Sequence, residues 1–328
     1  MKDLLLLLCN YPHDPANREA ISNQLNGITD WPGFIQLVNS HGITALSYYN
    51  IKEAGLEKAI PPDALAFLEK GYLQSVARNS WLTEKWKEVN RILSEAGIKH
   101  ILLKGMALEH SLYGSRGLRQ MNDNDILLRR EDALKAWLLL QDKGFIAKPL
   151  KSPLHKKILP DLGKHLPELY KEGYSLEIHT RLFDETKYDE DFYNDIFNNA
   201  AEIKTDNIPA LALPHDINID YLIKHFNYHR QAGDCQLRLY NDIRLLHPVN
   251  KPEFPGEFIL NPVQKGSKKF IREIYKTGFK SVPAHYRLRY LTGDIFPSLW
   301  WMKERYKCGT MAALLRYPAR LGKLWWIV

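Results

Sequence analysis

Cysteine is scarce in this chain. The three cysteines, Cys9, Cys235 and Cys308, stand far apart and form no CxxC pair. A zinc ribbon and a disulfide framework are therefore both excluded, and the usage fits a reducing cytoplasm. Long apolar runs are missing too, since no stretch approaches the length of a membrane span. Leu4 to Leu8 superficially suggest a secretory leader. That run is too short, Asp3 precedes it and no small-residue cleavage site follows, so it is expected to be a first helix. GxSxG, GxxxxGK[ST] and GxGxxG are all absent. Serine hydrolases, P-loop enzymes and dinucleotide enzymes thus lose their support. His225 and His229 have a zinc-like spacing but lack an HExxH glutamate and a third ligand. There is no internal repeat and no low-complexity tract.

What is present is ordinary in bulk and uneven in charge. With 328 residues, 45% hydrophobic and 25% charged, the chain is long enough for two or three packed units. The net charge is +7, but residues 265–328 hold 14 Lys or Arg against 3 Asp or Glu, a local +11. Trp300, Trp301, Trp325 and Trp326 lie among those charges. Basic residues with aromatics suit nucleic acid or an anionic membrane surface. They equally suit helices whose Lys and Arg stems cover a core. Apolar residues recur through 298–317, at Leu299, Trp300, Met302, Tyr306, Met311, Leu314 and Leu315. That recurrence favours folded helices, with nucleic-acid binding open but not preferred.

Three regions follow from the texture of the sequence. Residues 1–94 have helical periodicity punctuated by prolines, ending in one long helix from Asp63 to about Ala96. Residues 95–212 change character. Lys99 to Leu103 reads as a buried strand, Met106 to Tyr113 as a short helix and Asp123 to Leu128 as a second strand. Arg130 to Asp142 reads as a helix, and Tyr174 to Leu182 as the second arm of a hairpin turned at Glu172-Gly173. Between them, a polar stretch with Pro149, Pro153 and Pro160 suggests a mobile loop or lid. Residues 213–328 are helical again, with helices expected at 217–228, 237–246, 268–279, 283–291 and 298–317 and a proline-marked loop at Pro248, Pro252, Pro255 and Pro262. The fold class is α+β, a small mixed sheet between helical regions.

Asp123-Asn124-Asp125 is the most informative triplet. It runs straight into Ile126-Leu127-Leu128. Alternate residues of a strand share a face, so the two acids project together. Paired carboxylates repel unless a cation or a shared proton lies between them. Oxygen ligands of this kind suit Mg²⁺ or Mn²⁺. A solvated strand edge is the alternative for an isolated DxD.

The surrounding motifs carry a resemblance. Lys104-Gly105 ends the first strand, Arg119 stands four residues before Asp123, and Gly144-Phe145 closes the next helix. His165 then precedes Leu166-Pro167, and Glu177-Ile178-His179 lies in a later strand. In this order the motifs resemble a family of uncharacterised bacterial nucleotidyltransferases in the polymerase-beta-like superfamily, over roughly 80 residues. Two departures are visible. The superfamily carries Gly-Ser after its first strand, where this chain has Lys104-Gly105-Met106. The family usually has an aliphatic residue where Asn124 stands.

The resemblance implies a nucleotidyltransferase core. It implies transfer of a nucleoside monophosphate from an NTP, ATP by expectation, to a hydroxyl acceptor with release of pyrophosphate. The acceptor is open between a small molecule, a saccharide and a protein. Two Mg²⁺ or Mn²⁺ about 4 Å apart serve such chemistry. Asp123, Asp125 and Glu177 are the implied metal ligands and catalytic residues. Lys104, Gly105, Met106 and Arg119 are implied at the phosphates, with an ion pair equally open for Arg119. His165, His179 and Arg181 are implied at the acceptor or in support of the carboxylates. A catalytically weak nucleotide-binding protein and an RNA-end enzyme are the alternatives.

Overall fold

The structure, a computed structural model, describes residues 1–114, 117–184, 188–247 and 252–322. In chain order it runs α1 (Lys2–Leu8), α2 (Arg18–Asn26), α3 (Trp31–Ser40), α4 (Thr44–Glu53), α5 (Pro62–Glu95), β1 (His100–Leu103) and α6 (Lys104–Ser111). Then come β2 (Asn124–Leu128), α7 (Arg130–Asp142), β3 (Ile146–Ala147), β4 (Leu169–Lys171), β5 (Tyr174–His179), α8 (Glu190–Asn198), β6 (Ala201–Thr205) and β7 (Ile208–Ala212). The chain closes with α9 (His215–Ala232), α10 (Leu237–Leu246), α11 (Lys268–Ser281), α12 (Arg287–Ile295), α13 (Leu299–Tyr306), α14 (Thr310–Leu314) and α15 (Tyr317–Arg320). The seven strands form one mixed sheet in the order β3-β4-β5-β2-β1-β7-β6. This is an α/β architecture with helices before and after the sheet-forming stretch.

Local chemistry sets many of the boundaries. Asp30 starts α3 by accepting from Gly33 N–H, with Pro32 in the first turn. Asp189 starts α8 in the same way through Phe192 N–H. Gly233, at φ +89°, ends α9 in the left-handed region that glycine reaches without strain. Asp206 and Asn207 both have positive φ at the tip of the β6–β7 hairpin, the conformation of a two-residue primed turn.

The fold divides into two compact units. The first comprises Met1–Lys87, Leu102–Asn124 and Ala200–Ser267. Its core joins Leu4, Leu8, Phe34, Ile43, Ile51 and Leu68 to Tyr113, Leu222, Phe226 and Ile243. Within it β7 pairs in parallel with the end of β1, Leu102 opposite Ala212. The second comprises Glu88–Ile101, Asp125–Asn199 and the described residues from Lys268 onward. It buries Ile126, Leu128, Ala136, Leu140, Leu169, Leu176 and Ile178, with Phe145 edge-on to Tyr174 at 6.2 Å.

Several local expectations are corrected here. The suspected lid is a packed segment, because residues 153–161 form a kinked 3₁₀ helix that buries His155, Ile158 and Leu159. His155 Nε2–H donates to Tyr290 O at 3.2 Å, and Lys151 pairs with the buried Asp294. The helix expected at 298–317 is three short ones, broken where Lys307 turns left-handed. The strand expected to reach Leu182 stops at His179. The β6–β7 hairpin and α8 are additions to the expected pattern. Trp325, Trp326 and Pro248 lie outside the described residues. Among the described residues, no helix is long and apolar enough to cross a membrane.

His100 gives the fold a pH dependence. It is 8% exposed, and burial lowers its pKa from 6.5 to about 4. The unfolded chain therefore binds more protons between these values. Stability is full above about pH 6.5 and falls as the pH drops toward 4. The expected loss through this residue is about 3 kcal/mol. Burial lowers His41 and His110 as well, so the whole protein loses more. Urea unfolding of wild type and His100→Gln at pH 7.5, 6, 5 and 4 isolates the effect. The variant's pH slope should be shallower by about that amount, and equal slopes would remove His100 as a cause.

Candidate functional site

The second unit carries a compact acidic cluster. Asp125 is on β2, while Glu177 and His179 occupy alternate positions of β5 and so share a face. The strand order makes β5 and β2 neighbours. One ligand atom from each of the three residues lies within 4.8 Å of the others. Asp125 and His179 are buried at 5% and 3% exposure, and Glu177 is half-buried. His179 Nε2–H donates to Asp125 Oδ1 at 2.9 Å and lies 3.5 Å from Glu177 Oε2. The imidazole thus supplies the positive edge that two close carboxylates require.

His179 Nδ1 is buried and has no partner among the described residues. A buried ring nitrogen left in this state is costly. The two carboxylates and the His179 ring form an N/O donor set suited to a divalent cation, Mn²⁺ accepting both ligand types and Mg²⁺ favouring the oxygens. The residues present therefore fit a divalent metal.

His165 borders this cluster, and Arg181 lies past the end of β5. The residues around His165 pair with the end of β5, through Leu166 N–H to Ile178 O at 2.9 Å and Thr180 N–H to Lys164 O at 2.8 Å. The His165 ring lies 5.5 Å from that of His179, and its Nδ1–H donates to Leu166 O. Arg181 stands past the strand end, where Nη2 donates to Gly163 O at 2.9 Å. Burial lowers its pKa, against the pull of Asp184.

The remaining sequence-marked residues belong to the first unit. Asp123 is exposed, one residue before β2, and is not a member of the acidic cluster. Lys104 joins β1 to α6 with φ +46°, in the left-handed region. A non-glycine residue held there costs about 1–3 kcal/mol, and such strain gathers at functional sites. No side chain caps the start of α6. Gly105 is required by close packing, since a Cβ there would meet Met121 Cγ and Sδ at 2.9 Å. The Met106 side chain is buried, with Thr83 Oγ1 3.8 Å from its sulfur, which leaves only its backbone N–H to serve a ligand.

Arg119 is built into the interior. Its Nε donates to Asp242 Oδ1 and Oδ2 at 3.0 and 3.1 Å, and Nη2 donates to Oδ2 at 2.7 Å. Nη1 donates to Gln120 O at 2.8 Å. Burial alone would lower its pKa, but Asp242 outweighs it and holds the guanidinium charged. Tyr113 OH donates to Asp242 Oδ1, and Asn241 Nδ2 donates to the Tyr113 oxygen, each at 3.0 Å. Glu109 accepts from Gly117 N–H at 2.5 Å and Arg119 N–H at 3.0 Å, fixing the segment that carries Arg119. Of the two readings open for Arg119, the ion pair is the one the structure displays.

Sequence reasoning passed over Glu109, Tyr113 and Asn241. Their signal is weak, because a buried acid and tyrosine gain meaning only once their partners are known. His225 and His229 are an edge-on ring pair at 4.5 Å, and His229 Nδ1–H donates to Asp234. Among the described residues they join no metal-type group.

Asp125, Glu177 and His179 on neighbouring strands of a mixed sheet form a group that could hold a metal ion. The comparison with known families agrees. A family described as uncharacterised nucleotidyltransferase matches residues 28–264, and the chain belongs to it. This membership is consistent with the polymerase-beta-like nucleotidyltransferase superfamily. No curated protein and no solved structure matches the chain significantly.

Lys104 offers a test in which stability and binding part company. Lys104→Gly relieves backbone strain of about 1 kcal/mol, so it should unfold in urea at or above the wild-type midpoint. Removal of the ammonium should still weaken ATP binding more than adenosine binding, because a positive charge near a helix start attracts phosphate and does little for a base. Calorimetric titration with both ligands checks this. Equal loss for the two would mean that Lys104 acts through structure alone.

Proposed function

We propose that this protein transfers a nucleoside monophosphate from an NTP, ATP by expectation, to a hydroxyl group of a small molecule, saccharide or protein. The observation that carries the reading is the convergence of Asp125, Glu177 and His179 in a chain of a nucleotidyltransferase family. The acceptor oxygen bonds to the α-phosphorus, the bond from that phosphorus to the bridging oxygen breaks, and pyrophosphate leaves.

Asp125 and Glu177, with Asp123 by the family's motif order, would hold Mg²⁺ or Mn²⁺. When bound, the metal neutralises charge on the attacking and leaving oxygens. Glu177 is the half-buried acid of the cluster and is the candidate to take the acceptor's proton. His179 holds Asp125 in place through Nε2–H. His165 and Arg181 brace the end of β5. Lys104 and the backbone N–H groups of Gly105 and Met106 are assigned to the triphosphate. Arg119 positions the segment leading to Asp123 through its pair with Asp242. The proposed compartment is the cytoplasm.

The second reading is a nucleotide-binding or regulatory protein with little turnover. It draws on the missing phosphate-loop hydroxyl and on the imidazole that already bridges the two carboxylates. Pyrophosphate release from each of the four NTPs, with Mg²⁺ or Mn²⁺ and a panel of hydroxyl acceptors, separates the two. Metal-dependent release stimulated by one acceptor supports transfer. Metal-dependent NTP binding without release supports the regulatory reading.

A further inference from the structure

Part of the second unit leaves apolar and basic side chains exposed together. Met311, Leu314 and Leu315 stand at i, i+3 and i+4 on α14 and its C-cap, so they share one face. All three are exposed, Met311 and Leu315 at 71% and 78%. Trp300 on α13 and Phe296 shortly before it are exposed as well. These residues belong to one packed substructure. The Phe296 ring stacks on Tyr317 at 6.3 Å, and Tyr317 OH donates to Pro297 O at 2.6 Å. Arg320 Nε donates to Asp294 O at 3.2 Å, which ties α15 to the end of α12. Single exposed apolar residues are ordinary, whereas a group gathered on one small substructure marks an interaction surface.

The charge around this face has one sign. Residues 296–321 contain Lys303, Arg305, Lys307, Arg316 and Arg320 against a single acid, Glu304. The first four of these cations are exposed. The helix α11 repeats the combination. It buries none of its residues, and Lys269, Arg272, Lys276 and Lys280 recur on it at three- and four-residue spacing. Ile271 and Ile274 are exposed on its opposite side.

The chemistry separates three kinds of partner. Nucleic acid would take the cations through its phosphates but give nothing to Met311, Leu314 and Leu315. A second copy of the chain would cover the apolar face only by setting like charges against each other. An anionic bilayer takes both, with aliphatic side chains in the acyl boundary, cations at the headgroups and tryptophan between them. We propose that the face formed by α13, α14 and α15 docks this protein on an anionic phospholipid membrane surface, without spanning it. The basic stripe of α11 adds to the attraction. The proposal stands apart from the nucleotidyl-transfer reading, because it uses none of the residues assigned to that reaction.

The test is co-sedimentation of the full chain with two kinds of vesicle at physiological salt. One is phosphatidylcholine alone and the other contains about one-third phosphatidylglycerol. The anionic vesicles should bind at least about tenfold more tightly. Met311→Gln and Leu315→Gln should each weaken that binding by about tenfold, since burial of the side chain is lost. Lys303→Gln combined with Arg305→Gln should weaken it by about tenfold and flatten its salt dependence. All four positions are exposed, so these variants should unfold at the wild-type midpoint. No sedimentation with anionic vesicles at about 1 mM lipid overturns the proposal. Binding unmoved by Met311→Gln and Leu315→Gln also overturns it, since that is mere adsorption of a basic protein. Without vesicle binding, a gel shift of RNA or duplex DNA at physiological salt assigns the face to nucleic acid. Without vesicle binding, a dimer in light scattering that Leu315→Gln splits assigns it to a second copy, and either result overturns the proposal.

Discussion

Arg119→Ala is expected to cost about 3–5 kcal/mol of folding stability. Both partners of the Arg119–Asp242 pair are buried, with side-chain exposures of 7% and 0%. Removing the guanidinium leaves the Asp242 carboxylate desolvated beside Tyr113 without its hydrogen-bonded cation, Arg238 acting on it through charge alone. A double replacement, Arg119→Met with Asp242→Leu, removes both charges and should recover much of the loss. Urea unfolding of the two single variants and the double one measures the coupling. A loss below about 1 kcal/mol for Arg119→Ala would show that water reaches Asp242 and that the pair contributes little.

Asp125→Asn is expected to leave the fold intact and reduce nucleotidyl transfer by about 10²–10³-fold or more. Asparagine keeps the shape and can still accept from His179 Nε2–H, so the strand pairing survives. What is lost is the charge that holds a cation at the site. Glu177→Gln should behave alike, with a further loss of any proton transfer it performs. Unfolding midpoints near wild type with transfer abolished is the expected pattern. Retained transfer in both variants would move the chemistry away from this cluster.

The contrast between these two predictions shows what the sequence could and could not disclose. The shared face of Glu177 and His179 on β5 was legible because strand periodicity is local, whereas Asp123, expected beside Asp125, lies before β2 and outside the cluster. Alternation places Glu177 and His179 on one face whatever the rest of the fold does. The helices α5, α7 and α10 were legible through their apolar spacing and their stops. The partnership of Arg119 with Asp242 was not legible, because 123 residues separate them and nothing local marks the pair. The β6–β7 hairpin did carry a signal in Asp206-Asn207 between alternating residues, but Pro209 within the second strand masked it. The proline stretch at 149–160 looked like a loop because its burial depends on α12, far along the chain. The gathering of each compact unit from three separate segments also has no local sequence signature.

The most direct test of the central claim is anomalous diffraction from crystals grown with Mn²⁺ and a non-hydrolysable ATP analogue. The expected result is a Mn²⁺ peak bonded to carboxylate oxygens of Asp125 and Glu177 at about 2.2 Å, with the α-phosphate on the same ion. A structure with the analogue bound, no Mn²⁺ peak at these residues and the His179 imidazole still donating to Asp125 would contradict it.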